Sequence, residues 1–365
     1  MPPPPGRTLA AIPWHICDNG MARVKVFLSD RPFRIPGALL LLVLAASLVV
    51  YKSAGAVRQL EHVRASGSVA LKADVVSADS TALPLRVAAQ SVNYVAAIWP
   101  ALVFGILISG AVRAFTPMTA LSRLFDGGTV RRQIVAGASG APLMLCSCCV
   151  APLFSSVYER SRRLGPALAL MLAAPALNPA ALALTFLLFP APIAWGRLWM
   201  SVIAVFFGTA LVARVAPDAQ IGLRVLPLDH DAPNHSTIGA FLRACLHVSA
   251  RTVPVILLGI VTAMLLMDRL PLQPDFSLST RWWAVGVTAA VAIPIALPTF
   301  FEIPLAVTLL AAGAPAGAAA ALLFAGPAVN LASLMTVGRT AGWRAVWVVG
   351  LMVWLIAVIG GLAIG

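Results

Sequence analysis

The chain has 365 residues, of which 60% are hydrophobic and only 11% charged, with 26 Lys and Arg against 13 Asp and Glu. Soluble globular chains carry roughly a quarter charged residues, so a soluble fold is excluded, and long apolar runs joined by short polar loops favour one membrane domain over two or three soluble ones. The net charge of +13 does not indicate nucleic acid, because the basic residues stand singly or in pairs at the ends of apolar runs, without a basic groove of interleaved aromatics.

Residues 1–34 form a basic N-terminal segment, with Pro2 to Pro5 followed by Arg7, Arg23, Lys25, Arg31 and Arg34. The first apolar run, Ile35 to Tyr51, has 17 residues, the lower limit for crossing a hydrocarbon core of about 30 Å. It lacks a small-residue cleavage site and reads as a retained span with a cytoplasmic N-terminus. From Lys52 to Gln90 the sequence is mixed and contains Glu61, Asp74 and Asp79, which predicts an external loop or surface helix, so 35–90 is one unit.

Residues 91–216 read as a first permease unit. A span from Ser91 to Phe115 ends at Arg113 and is followed by Arg123, Arg131 and Arg132, a cytoplasmic end by the positive-inside rule. The stretch from Gln133 to Val157 has arginines on both flanks, Arg160, Arg162 and Arg163 closing it, and Gly137, Gly140, Pro142 and Pro152 along it. It predicts a re-entrant hairpin entering and leaving on the cytoplasmic side. Gly165 to Phe189 then crosses outward, and Trp195 to Val212 returns to Arg214 and Arg224. Residues 217–238 form a polar cytoplasmic linker; Asp218, Asp229, His230, Asp231 and His235 lack a ligand spacing and read as a solvated loop rather than a metal site.

Residues 239–365 repeat the first unit. Pro152, Gly165, Pro175 and Asn178 recur as Pro304, Gly317, Pro327 and Asn330, each 152 positions later, while Pro100 and Gly105 recur as Pro254 and Gly259 at an offset of 154. The second copy then reads as a span from about Thr252 to Met267, a hairpin from Trp282 to Ala312, and spans from Gly317 to Gly338 and Trp343 to Ile364. Each copy has three crossings beside its re-entrant hairpin, and an odd number of crossings means the copies must be inverted. The expected fold is an all-α integral membrane protein of two inverted repeats with one extra N-terminal span, in the cell membrane.

The chemistry is concentrated in a few residues. The five cysteines are Cys17, Cys146, Cys148, Cys149 and Cys245, an odd set unlike a secreted disulfide framework. Cys146, Ser147, Cys148 and Cys149 lie where the first hairpin should break; thiolates select soft ions or trivalent arsenic, while buried cysteine is also an ordinary small apolar residue. A disulfide between Cys146 and Cys148 would need a strained loop. The matching stretch of the second copy, Pro298 to Pro304, has aromatics and Glu302, the only ionisable residue between Arg281 and Arg339. A carboxylate at membrane depth costs several kcal/mol unless paired, protonated or hydrated; Glu302 reads as a proton- or substrate-coupling group, or as a structural hydrogen-bonding one. Pro175 with Asn178, and Pro327 with Asn330, place an amide beside carbonyls freed by proline, either to hold substrate or to cap a kink. His247 and Arg251 share a helical face and mark an interface, and Trp195, Trp199, Trp282, Trp283 and Trp343 fit an aromatic belt.

These motifs resemble the predicted permeases of the ArsP and YraQ type (UPF0718). The resemblance rests on Cys146-Ser147-Cys148, Pro175 to Pro179, Glu302-Ile303-Pro304 and Gly326 to Asn330, and covers roughly residues 91 to 340. It implies a transporter rather than an enzyme, with Cys146, Ser147, Cys148, Cys149, Pro175, Asn178 and Asn330 toward the substrate. It also implies trivalent organoarsenicals as candidate cargo for efflux. The chain departs from the family pattern in Pro298 to Glu302, where Cys-Ser-Glu-Gly-Asp is frequent, and in Cys149, where glycine is common. No catalytic residue, resident metal or cofactor is expected. The expected partners are a small-molecule substrate, the lipid bilayer and, compatibly, further copies of the chain. With no Gly-x-x-x-x-Gly-Lys loop, the drive would be a gradient. A membrane thiol oxidoreductase using the cysteines, and a structural subunit of a membrane complex, are the competing readings.

Overall fold

In the computed structural model the described residues are 34–66, 74–77, 82–116, 128–216, 237–269, 281–295 and 300–364, and every regular element among them is helical. The N-terminal basic segment, the linker histidines and aspartates, Pro298 and Thr299 lie outside them. In chain order the helices are α1 (Arg34–Ser66), α2 (Leu83–Phe115), α3 (Thr129–Gly140), α4 (Ser147–Ser161), α5 (Leu164–Ala176), α6 (Pro179–Leu188) and α7 (Ala191–Val215). They continue as α8 (Thr237–Arg269), α9 (Arg281–Ala292), α10 (Glu302–Ala311), α11 (Ala316–Ala328), α12 (Leu331–Ala341) and α13 (Trp343–Ile364).

Helices α1, α2, α7, α8 and α13 are long and apolar enough to cross a bilayer. The pairs α5/α6 and α11/α12 are each one apolar run bent by 42° and 48°, which raises the total to seven if each pair is one span. The protein is therefore a multi-pass membrane protein. Large apolar side chains such as Leu42, Trp99, Trp199, Phe207, Leu211, Trp347 and Ile359 are exposed, as a lipid-facing surface requires. The core is lined by small residues; Gly317 to Ala321 of α11 are all buried, and a Cβ on Gly317 would strike the Gly361 carbonyl of α13. Trp195, Trp199, Trp283 and Trp343 are exposed.

Several boundaries differ from the sequence expectation: α2 begins at Leu83 rather than Ser91, and α8 begins at Thr237, well before Thr252. α1 does not stop at Tyr51 but runs through the polar stretch to Ser66. Residues 52 to 66 hold alanine, leucine, arginine and glutamate with no proline, so nothing in them ends a helix already begun.

The element boundaries themselves repeat. α3, α5, α6 and α7 begin at 129, 164, 179 and 191, and α9, α11, α12 and α13 begin 152 residues further on; α2 and α8 match over 33 residues at an offset of 154. α2 lies along α8, its counterpart. The copies are nevertheless packed differently. Gly105 of α2 faces the Cys149 carbonyl of α4, whereas its counterpart Gly259 of α8 faces the backbone of Ala332 in α12.

Arginines from three helices converge on one acid. Glu159 at the end of α4 lies 2.5 Å from Arg113 of α2 and 3.3 Å from Arg251 of α8, and Arg339 of α12 lines the same cleft. Arg160 closes the end of α2 by donating to the carbonyls of Arg113 and Thr116, carbonyls that a terminating helix leaves without partners.

Candidate functional site

Between α3 and α4 the helix breaks at Ala141 to Cys146. A 3₁₀ turn, Ala141–Leu143, ends at Met144 in the left-handed region (φ 49°), and α4 restarts with Cys146 as its N-cap. The Cys146 carbonyl accepts from Cys149 and Val150 N–H at 3.0 and 3.1 Å, which turns the first helical turn back over the thiols. Cys146, Cys148 and Cys149 are all buried, and their Sγ atoms lie within 4.8 Å of one another at the positive end of a helix.

Cys146 and Cys149 are paired as a disulfide, with Cα atoms 5.2 Å apart, while Cys148 is a free thiol 3.2 Å from the Cys146 sulfur. The pair is thus Cys146 with Cys149, spaced by one helical turn, and not the Cys146 and Cys148 pair weighed from sequence. Cys148 also meets the Tyr94 hydroxyl of α2 at 3.6 Å and the Asn330 side chain from the second half. Ser147 is buried beside them.

Asn178 and Asn330 occupy the bends of α5/α6 and α11/α12. Asn178 Oδ1 accepts from Ala180 and Ala181 N–H at 3.0 and 3.4 Å as the N-cap of α6, after Pro175 has cost the preceding helix a donor. Asn330 Oδ1 accepts from Ser333 N–H at 2.9 Å, and Ser333 Oγ accepts from Asn330 N–H at 3.0 Å, a reciprocal capping box. Capping takes the amide oxygens; Asn330 alone of the two also reaches the sulfurs.

Glu302 begins α10 and is buried, but it is not alone. Arg197 Nη2 of α7 donates to Glu302 Oε1 at 3.0 Å, and Arg197 Nη1 donates to Thr185 Oγ1 of α6 at 2.6 Å. Arg197 is fully buried, and its Nε has no partner among the described residues. The sequence reading left Arg197 inside the run from Trp195 to Val212 without a role. The available signal was an arginine in an apolar span, which requires an anion at the same depth.

The site therefore joins the halves twice, sulfur to amide through Cys148 and Asn330, and carboxylate to guanidinium through Glu302 and Arg197. With the Cys146–Cys149 disulfide reduced it offers three soft thiol ligands, and beside them one buried ion pair. Residues 87–365 match a protein-family model described as a predicted permease, ArsP_1. The UPF0718 protein YraQ of Escherichia coli (strain K12) is 29% identical over 282 residues, spanning 74% of this chain and 79% of that protein. A second UPF0718 protein, from Methanocaldococcus jannaschii, is 23% identical over 330 residues, spanning 72% of this chain and 90% of its own. No solved structure matches the chain. The matched residues take in both halves and every site residue above, and the chain belongs to the ArsP-type predicted permease family, membrane transporters rather than enzymes.

Proposed function

We propose that the protein is a gradient-driven efflux permease for a small thiophilic solute, with trivalent organoarsenicals as the candidate cargo that the family resemblance implies. The observation that carries this reading is the group of three buried sulfurs at the α4 break, with Asn330 of the second half against Cys148. Soft sulfur donors prefer such cargo to magnesium or calcium. A site shared by the two halves is what alternating access needs, since their relative movement then opens the cargo to either side. The repeated boundaries at a 152-residue offset support two copies, and their inverted arrangement, the cytoplasmic N-terminus and placement in the cell membrane are part of the proposal.

Glu302 couples transport to protons in this scheme. With Glu302 ionised, its ion pair with Arg197 ties α10 to α7; a proton taken by the carboxylate removes the charge–charge attraction, leaving a hydrogen bond to a neutral acid, and frees the two halves to move. In cells with matched membrane abundance, wild type is expected to lower accumulation of a trivalent aryl arsenical. A Cys146, Cys148 and Cys149 triple alanine variant and Glu302→Gln should both abolish the effect. Wild type without effect across trivalent arsenicals and soft metal ions would sink the cargo assignment.

A further inference from the structure

Helices α2, α4, α8 and α12 enclose a second polar site, distinct from the sulfurs. Glu159 is ten residues beyond Cys149 on α4, about 15 Å along a helix. The cleft there, partly open to solvent, is lined by Arg113, Glu159, His247, Arg251, Thr336 and Arg339 among others. Its charges do not cancel: three guanidiniums face one carboxylate, and among the described residues Arg339 has no acidic partner.

Hydrogen bonding narrows the ligand further. The contact between Arg113 and Glu159 Oε2 is close but not aligned as a hydrogen bond, so Oε2 is a buried acceptor with unfilled capacity, and His247 Nε2 is buried without a partner among the described residues. The hydroxyls of Thr336 and Thr340 donate to the Ala332 and Thr336 carbonyls of their own helix, at 3.0 and 2.8 Å. Thr336 has only lone pairs left to offer, while Thr340 Oγ1 already meets Ser155 Oγ at 3.1 Å. The cleft thus presents cationic donors beside acceptors that lack a proton to accept. A cation would be repelled, and a fully ionised oxyanion would satisfy the arginines while leaving the acceptors empty.

We propose that this cleft binds a tetrahedral oxyanion that keeps one proton, the chemistry of hydrogen phosphate or of a phosphate monoester. Arg251 and Arg339 take the charged oxygens, the His247 tautomer protonated at Nε2 adds a donor, and Glu159 accepts the ligand O–H. Sulfate has the same shape and charge but no proton, and it would set an oxygen lone pair against the Glu159 carboxylate. A site built to bond a ligand hydroxyl rejects an analogue lacking it.

The test is equilibrium binding of radiolabelled inorganic phosphate to the full chain in dodecyl maltoside without added phospholipid, with sulfate as competitor. Saturable binding is expected, with sulfate weaker by about ten-fold or more. Arg339→Gln, at an exposed side chain whose loss does not threaten the fold, should weaken phosphate by about ten-fold, and Glu159→Gln should bring sulfate close to phosphate. Repeating the titration in phosphatidylcholine nanodiscs with and without phosphatidic acid separates the sources. Competition by that lipid assigns the monoester to a headgroup, and its failure to compete assigns it to the aqueous ion; both keep the site. No saturable binding, equal competition by sulfate, or unchanged binding in Arg339→Gln overturns the proposal. Because the sulfurs are not involved, that failure would leave the efflux reading where it stands.

Discussion

Gly105 of α2 presses against the carbonyl of Cys149 in α4, so closely that a β-carbon at 105 would overlap that oxygen. The oxygen belongs to backbone in the first turn of α4 and cannot swing aside as a flexible side chain would. Gly105→Ala should therefore force α2 away from α4, at a cost of about 1–3 kcal/mol typical of overpacking. It should also displace the sulfurs that Tyr94 and Asn330 contact. Thermal unfolding in detergent checks the first effect and arsenical accumulation the second. A variant as stable and as active as wild type would refute the close approach.

The Arg197 and Glu302 pair predicts a specific inequality. Removing one partner from a buried ion pair strands the other charge and costs about 3–5 kcal/mol, whereas replacing both with apolar residues of similar volume is frequently neutral. Glu302→Leu and Arg197→Met should each lower thermal stability strongly, and the double variant should recover most of it while remaining transport-dead. Additive losses in the double variant would mean that the two side chains do not act as a pair.

Asn178 and Asn330 have matched capping roles and unmatched positions. Alanine at either should cost about 1 kcal/mol through the lost cap. Only Asn330→Ala should change the rate at which methylmercury, a small soft reagent, reacts with Cys148. Equal rate changes in both variants would count against contact between Asn330 and the thiol.

The disulfide between Cys146 and Cys149 sets a redox requirement. A thiol reductant such as dithiothreitol takes the two-electron oxidation and delivers two protons to the sulfurs, after which phenylarsine oxide can condense with two thiols and release water. Intact mass spectrometry should show the adduct only after reduction, and not in the triple alanine variant. An adduct of equal yield before reduction would exclude the paired cysteines as its site.

The spans were legible because lipid imposes a one-dimensional signal: α2, α7, α8, α13 and the two bent pairs lie where apolar runs end at arginines. The proline and asparagine spacing located both bends, since a missing donor and a local cap act within a few residues. What was missed depends on residues far apart in sequence. Arg197 looked like one charge diluted in an apolar run, and its partner lies 105 residues away. Glu159 was hidden among Arg160, Arg162 and Arg163, where counting basic residues suffices for orientation but says nothing of which acid lies between helices. The end of α1 was missed for another reason, because hydropathy marks where lipid stops, not where the hydrogen-bond ladder stops.

The ion pair also bears on biosynthesis. Arg197 leaves the ribosome 105 residues ahead of Glu302, an interval of about 5–20 s at ordinary elongation rates. Thr185, already made, can accept from one of its nitrogens, but the carboxylate has yet to appear. A guanidinium at bilayer depth costs at least about 2.5–3.5 kcal/mol without compensation, a cost that opposes final placement of α7 before α10 arrives. Settling of the first half then depends on the second, and a chain truncated at the linker would be left with an arginine whose carboxylate partner is never made.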